Sequence, residues 1–261
     1  MSNEYKKYLK KIKLNKILVK ISQLLILILF IFIWEYLAKK EIINTFIYSS
    51  PSRIVKTIIN LHKTNNLYHH IWITLYETLI SFSLGTFLGI IIATILWYSK
   101  FLYKVIDPYL TIINSLPKVS LGPIIIIIFG ANIHSIIIMA LLISVIITTI
   151  TVYNGFSETD TNKINLLKSF KATKTQIYKY LILPNSYSTI ISSLKVNISM
   201  SLIGVIMGEL LVSKEGIGYL IMYGSQVFNL NLVISGIIIL MIVSYLMYLI
   251  VSYIEKILIK N

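Results

Sequence analysis

The chain has no cysteine, which excludes disulfides, thiolate metal ligands and cysteine nucleophiles. Acidic side chains are scarce as well: ten Asp and Glu stand against 24 Lys and Arg, for a formal net charge of +14. Only 13% of the 261 residues are charged while 56% are hydrophobic, and the mean hydropathy is +0.81. Soluble domains carry about 25% charged residues, so this composition belongs to an integral membrane protein. The four histidines, at 62, 69, 70 and 134, are scattered. Adjacent His69 and His70 do not share a helix face as ligands four residues apart would, and they read as surface residues. The phosphate-cradling loop G-x-x-x-x-G-K-[ST] is missing, and no Ser/His/Asp set or carboxylate pair stands out as catalytic. The expectation is no enzyme, no cofactor and no metal. Nucleic acid is not an expected partner either, because the basic residues do not cluster with aromatics on a soluble domain and topology accounts for them.

Long apolar runs are what the chain has in quantity. "ILVKISQLLILILFIFIWEYLA", "TLISFSLGTFLGIIIATILWY" and "IHSIIIMALLISVIITTITVY" are each near the length that crosses a hydrocarbon core of roughly 30 Å. They are apolar on every side, which predicts helices and not the alternating strands of a barrel. Six spans are expected, at 17–38, 71–98, 102–130, 133–153, 187–212 and 230–254. The first is too long, and has no small-residue site after it, to read as a removable signal peptide. Residues 1–16 form a basic tail ahead of a single membrane domain, 17–261, which includes a hairpin at 155–186. With the N terminus in the cytoplasm, the inner segments hold 16 lysines and the outer ones six Lys and Arg (39, 40, 53, 56, 63, 214). That asymmetry places both termini inside a cytoplasmic membrane. Lysine outnumbers arginine 23 to one, a usage typical of AT-rich bacterial genomes, so the expected membrane is a bacterial one.

Several spans carry irregularities. "SLPKVSLGP" breaks the third with Pro117, Gly122 and Pro123, and irregular backbone at that depth needs protein or a water-filled path around it. Ser115, Pro117 and Lys118 at the break are therefore candidates for a translocation path or gate. Glu209, near the outer end of the fifth span, is another, read as a structural or gate residue rather than a solute ligand; Lys118 and Lys195 are the candidate partners, which the sequence does not place beside it. Glu35 and Lys195 lie near span ends and are expected to snorkel. Ser52 is expected to cap a short helix carrying Ile54, Ile58, Ile59 and Leu61, lying flat at the outer interface. Gly85/Gly89 and Gly204/Gly208 make G-x-x-x-G pairs, weak evidence for a dimer face.

Between the fourth and fifth spans the polar segment has its own pattern. Asp160 or Thr161 can cap a helix in which Ile164, Leu167 and Phe170 form an apolar stripe edged by lysines. Thr173 and Gln176 match the S/T-x-x-E/Q capping box of a second helix, carrying Ile177, Tyr180 and Leu181, that Pro184 is expected to stop. Two short helices at a corner need something to pack against, and a lysine-edged apolar stripe suits a groove on a soluble partner.

Residues 155–184 resemble the signature loop of binding-protein-dependent ABC importer permeases, in which a Glu-Ala-Ala triplet precedes a Gly and then a Leu-Pro pair. "SLPKVSLGPIIIIIFG" and "GVIMGELLVSKEGIGYLIMYGSQVF" look like the permeases of the nitrate, sulfonate and taurine group. Ala172, Thr173, Leu183 and Pro184 match the loop. Leu166, Leu167 and Lys168 stand at the triplet, and Lys171 stands at the Gly, where a left-handed corner would cost a lysine about 1 kcal/mol.

The resemblance implies an all-α, six-helix permease of the type I importer (MetI-like) fold, translocating a small solute such as a sulfonate, taurine or nitrate. It also implies three protein partners: a cytoplasmic ABC ATPase on Ile164, Leu167, Lys168, Phe170, Lys171, Ala172, Thr173, Gln176 and Pro184, an external solute-binding protein, and a second permease copy. Membrane lipid surrounds the whole. A secondary carrier or channel would also need a broken span and buried charge, but would show repeated halves or a run of pore-lining acids, and neither is present in the sequence.

Overall fold

Apolar side chains on every face of the long runs leave their amides one way to be satisfied in lipid, bonding within their own segment. The computed structural model describes residues 3–64 and 66–259, and among these it contains helices and no strand. In chain order they are α1 (Asn3–Lys39), α2 (Thr45–Tyr48), α3 (Pro51–Lys63), α4 (Asn66–Tyr98), α5 (Lys100–Ser115), α6 (Gly122–Phe129) and α7 (Ile133–Ser157). There follow α8 (Thr161–Ser169), α9 (Lys174–Ile177), α10 (Leu183–Asn185), α11 (Tyr187–Val212), α12 (Ile217–Gln226) and α13 (Leu230–Ile259). Five stretches are long and apolar enough to cross a membrane. A sixth crossing exists if α5 and α6 count as one broken span, bent by 93°. A 3-10 turn, Lys118–Leu121, occupies the break where Pro117, Gly122 and Pro123 lie, as expected.

The centre is α7, with α4 and α11 against it. Small residues set the distance. A Cβ on Gly89 would stand 2.6 Å from Cβ of Thr148, and one on Gly208 would stand 2.9 Å from Cα of Ile136. Gly85 likewise faces Ser144, and Gly204 faces Ala140. Both G-x-x-x-G pairs are thus spent on packing within the chain, against the expectation of a face for a second copy. In lipid, association rests on such close approach, since burying apolar surface between helices gains nothing over the tails.

At one end of the bundle, the cap of α3 is Ser50, whose hydroxyl accepts from the Arg53 N–H at 3.4 Å, and not Ser52. Pro51 is the reason: its fixed φ and missing N–H suit the first helical position, one residue after the cap. The Ser52 amide is bonded instead to Glu35 Oε2 at 3.0 Å, so Glu35 closes the helix start rather than snorkelling. Nor does α3 lie on a lipid surface by its apolar face: Ile54 is buried, and Ile58 and Leu61 pack on a cluster of α4, α11, α12 and α13 residues. Lys195, the other expected snorkeller, pairs with Glu255 at 2.7 Å and ties α11 to α13. The 213–229 segment, expected as an outer loop, contains α12, which buries Ile217 and Leu220, while Ile221 meets Gly236 of α13.

A side chain at position 208 has backbone of α7 in its way, and overpacking of this kind costs about 1–3 kcal/mol. Gly208→Val is therefore expected to lower the melting temperature of the purified chain by several degrees, whereas Ile127→Val, at a position 83% exposed, is expected to leave it unchanged. Size-exclusion recovery after a heat step measures both.

Candidate functional site

The hairpin between α7 and α11 is built from local rules. Asp160 caps α8 by accepting the Asn162 N–H at 2.8 Å. The helix ends in paired bonds: Lys171 N–H to the Lys168 carbonyl at 2.8 Å, and Ala172 N–H to the Leu167 carbonyl at 3.0 Å. That is a Schellman ending, which requires a left-handed residue at its corner. Lys171 supplies it, with φ of 60°. Immediately afterwards both halves of the expected capping box form: Thr173 N–H donates to Gln176 Oε1 at 2.7 Å, and Gln176 N–H donates to Thr173 Oγ1 at 3.3 Å.

Pro184 does not stop the second helix. The chain runs from α9 through a π turn, Tyr178–Ile182, into α10, and after Ser186 into α11. A proline in a regular helix clashes with the carbonyl four residues back, and the wider turn just before Pro184 accommodates that ring. The hairpin therefore leads almost without interruption into a bundle helix.

Side chains fix the hairpin to the bundle end. Lys174 Nζ donates to the carbonyl of Tyr98, the last residue of α4, at 2.6 Å, and lies 5.8 Å from the Trp97 ring centroid. Tyr178 and Thr94 share a hydroxyl bond at 2.9 Å. Ser186 Oγ donates to the Gly155 carbonyl at 2.8 Å, and Asn185 Nδ2 donates to Thr159 Oγ1 at 3.2 Å. Beneath them Ala93, Val152, Phe156, Ile177 and Ile182 form a buried cluster.

The expected stripe divides. Ile164 and Leu167 pack inward against that cluster, so the bundle itself is their partner, and Ala172 joins them. Phe170 alone of the stripe faces outward, 73% exposed. Sequence reading missed Leu166, one turn before Phe170 on the outer side and 58% exposed; spacing of four from Phe170 was its available signal. Lys163, Lys168 and Lys171 are exposed beside them.

At the opposite end of the bundle Glu209 is buried, yet neither Lys118 nor Lys195 is its partner. Its Oε1 accepts from Thr74 Oγ1 and its Oε2 from Gly218 N–H, both at 2.6 Å. Gly216, at φ of 99°, turns the chain so that its own N–H reaches His70 Nδ1 at 3.0 Å and the Ile217 N–H reaches Thr74 Oγ1 at 2.9 Å. His70 is thus a buried acceptor and not a surface residue. His69 is half exposed and lies 3.3 Å from Glu215. Glu77 is also buried, and its Oε2 has no hydrogen-bond partner among the described residues. It borders a cavity of about 290 Å³ shared with Ile136, Val212 and Lys214.

Lys118 bonds instead to the carbonyl of Asn114, on its own turn. Ser115 and Pro117 are exposed, and Ser115 Oγ returns to the Thr111 carbonyl at 2.8 Å. Glu209 closes a loop inside the bundle while the break lies on its surface, so the four candidate path residues do not form one site.

Similar proteins agree with this architecture. The chain is 27% identical over 228 residues to a probable ABC transporter permease protein of Haemophilus influenzae, covering 87% of this chain and 92% of that one. Over the same length it is 27% identical to a putative aliphatic sulfonates transport permease of Bacillus subtilis (87% and 83% covered). A formylaminopyrimidine transport permease of Halalkalibacterium halodurans matches at 27% over 187 residues (72% and 74%). Among solved structures, an inward-facing MetNI methionine ABC transporter chain superposes with a TM-score of 0.62 at 19% identity, over 72% of this chain and 94% of that one. An amino acid ABC transporter crystallised with histidines gives 0.60 at 16%, over 77% and 95%. Both show the same fold, the MetI-type permease fold expected from the sequence. Residues 85–260 match the family described as the binding-protein-dependent transport system inner membrane component, and the chain belongs to that family of importer permeases.

Proposed function

We propose that this permease works as one of two identical copies around a translocation path, with a separate cytoplasmic ATPase docked on the hairpin of each. An external binding protein delivers the solute at the opposite end, where α3 and α12 lie. Both termini face the cytoplasm, which puts the hairpin lysines on the side that the distribution of Lys and Arg favours. The solute is a small molecule of the kind named for the relatives, a sulfonate, taurine or a comparable compound, selected by the binding protein.

One observation carries the reading: an exposed Leu166 and Phe170, edged by lysines, on a hairpin held by two bonds to α4 and two to the end of α7 and the turn after it. Such a pair is a helix-in-groove anchor for a soluble partner. The clamps supply what coupling needs, since ATP binding that draws the ATPases together moves a rigid hairpin, and the hairpin moves α11 directly through the π turn. ATP is hydrolysed by the docked subunit, this chain having no phosphate loop of its own.

The second copy has a place to go. α5 buries none of its residues in this chain, and Ile127 and Ile128 of α6 are 83% and 65% exposed. The break between these helices carries non-helical backbone, which lipid does not tolerate and a second copy or a water path covers.

Two outcomes follow. Leu166→Ala combined with Phe170→Ala is expected to insert and melt normally, lose transport, and retain a co-purified ATPase at least ~30-fold less well, as loss of central anchors does; normal uptake would sink the coupling role. Because the chain has no native cysteine, single cysteines report cleanly. Leu116→Cys or Val119→Cys is expected to give a disulfide-linked dimer in oxidised membranes and Met241→Cys, on α13, is not; the reverse pattern would move the copy interface to another face.

A further inference from the structure

A cavity of about 630 Å³ opens between the hairpin and the corner where α4 meets α5. Four lysines line it: Lys100 and Lys104 on α5, Lys168 on α8 and Lys174 on α9, with no carboxylate among its lining residues. Among the described residues none of Lys100, Lys104 and Lys168 makes an ion pair. Two acids flank its hairpin wall in sequence: Asp160 is engaged as the cap of α8, and Glu158 is exposed and does not line the cavity. Four like charges around one cavity repel each other, and an anion between them removes that cost.

The remaining walls are aromatic. Tyr103 stacks on Tyr153 with ring centroids 3.9 Å apart, and Trp97 and Phe156 complete the apolar side. Trp97 is the penultimate residue of α4 and Lys100 the first of α5, so the cavity lies where an apolar run ends. Trp and Tyr at such a position mark the headgroup level of a bilayer, and lysines there attract anionic lipid at about fivefold in affinity for each. A free phosphate would use the lysines and leave the aromatic wall unoccupied. A phospholipid uses both, with its phosphate among the lysines and its glycerol and first methylenes along the rings.

We propose that this cavity is a binding site for an anionic phospholipid of the cytoplasmic leaflet, whose phosphate joins Lys100 and Lys104 of α5 to the hairpin. The proposal rests on the reading that the hairpin end is cytoplasmic. In it, lipid is the filler between the ATPase-docking hairpin and α5, a wall of the cavity that none of the hairpin's side-chain bonds reaches.

The test uses the full chain co-purified with its ATPase. Thermal-shift titrations with dihexanoyl phosphatidylglycerol are compared with dihexanoyl phosphatidylcholine and with inorganic phosphate. The expected result is saturable stabilisation by the glycerol lipid alone, weakened about 25-fold in Lys100→Gln, Lys104→Gln and recovered in Lys100→Arg, Lys104→Arg. Stabilisation by inorganic phosphate at the same concentration would replace the lipid with a free anion and overturn the proposal. Equal titrations of wild type and the Gln variant, as when a second copy seals the cavity, would overturn it too. ATPase recovery is read in the same samples: its absence from wild type would overturn the importer reading, whereas normal recovery without a lipid difference overturns only this site.

Discussion

Helices surrounded by lipid gain little from hiding apolar surface from each other, so the bundle depends on how closely α4 and α11 approach α7. The approach is made by backbone, with Gly85 and Gly89 over Ser144 and Thr148 on one flank and Gly204 and Gly208 over Ala140 and Ile136 on the other. Dispersion is strong only at such distances, and close approach also lets a neighbouring polar side chain reach across the contact. Thr149 of α7, for instance, is directed at the Gly89 carbonyl across the helix contact, 3.4 Å away. Once α7 is held on both flanks, everything attached to its ends is held as well. Gly155 in its last turn receives Ser186, with Thr189 where a larger residue's Cβ would have to stand.

Both ends of the bundle are closed by polar ties, buried at Ser186 and at Glu209 and exposed at Lys174. At the hairpin end the bonds run from side chains to free carbonyls of Tyr98 and Gly155; at the other, a carboxylate receives Thr74 and the Gly218 amide. Removing one member of such a pair strands the other, which costs about 1–3 kcal/mol and more for a charged group. These ties resist gradual deformation, so the helices they join move as a body. Glu209 in particular binds α4, α11 and the start of α12 through one side chain.

How much of this was legible follows from the range of each interaction. The capping box was readable because caps act within four residues, Thr173 and Gln176 announcing it, whereas the left-handed turn at Lys171 was implied only by the resemblance, whose signature loop has Gly there. The broken third span was readable because proline and glycine act on their own backbone. The direction of the α8 stripe was not. Periodicity places Ile164 and Leu167 on one face without saying what that face meets, and their own Phe156 and Ile177 were nearer than any partner. The partner of Glu209 lies 135 residues away on α4. Even so, a signal existed, since His70, Thr74, Glu77 and Ser81 recur every three or four residues in an apolar helix and mark a polar stripe. Pro184 misled because the π turn that absorbs it has no sequence signature.

Attachment is uneven around the core, and the proposed transport cycle would use that unevenness. The hairpin is bonded to α4 and α7 and continues into α11, whereas α5 buries none of its residues and α6 only Gly122 and Ile125. In the proposed coupling, a force applied at Phe170 would be delivered to the α4, α7 and α11 body, and α5 and α6 would follow only as far as something else couples them. Alternating access requires two bodies that shift against each other. Within a single copy the boundary between them runs along the loosely held third span, past the Pro117 break at one end and the lysine-lined cavity at the other. On the proposed reading a second copy along the helices and an anionic lipid in the cavity occupy that boundary, and they would set how tightly motion of the hairpin is passed to the path.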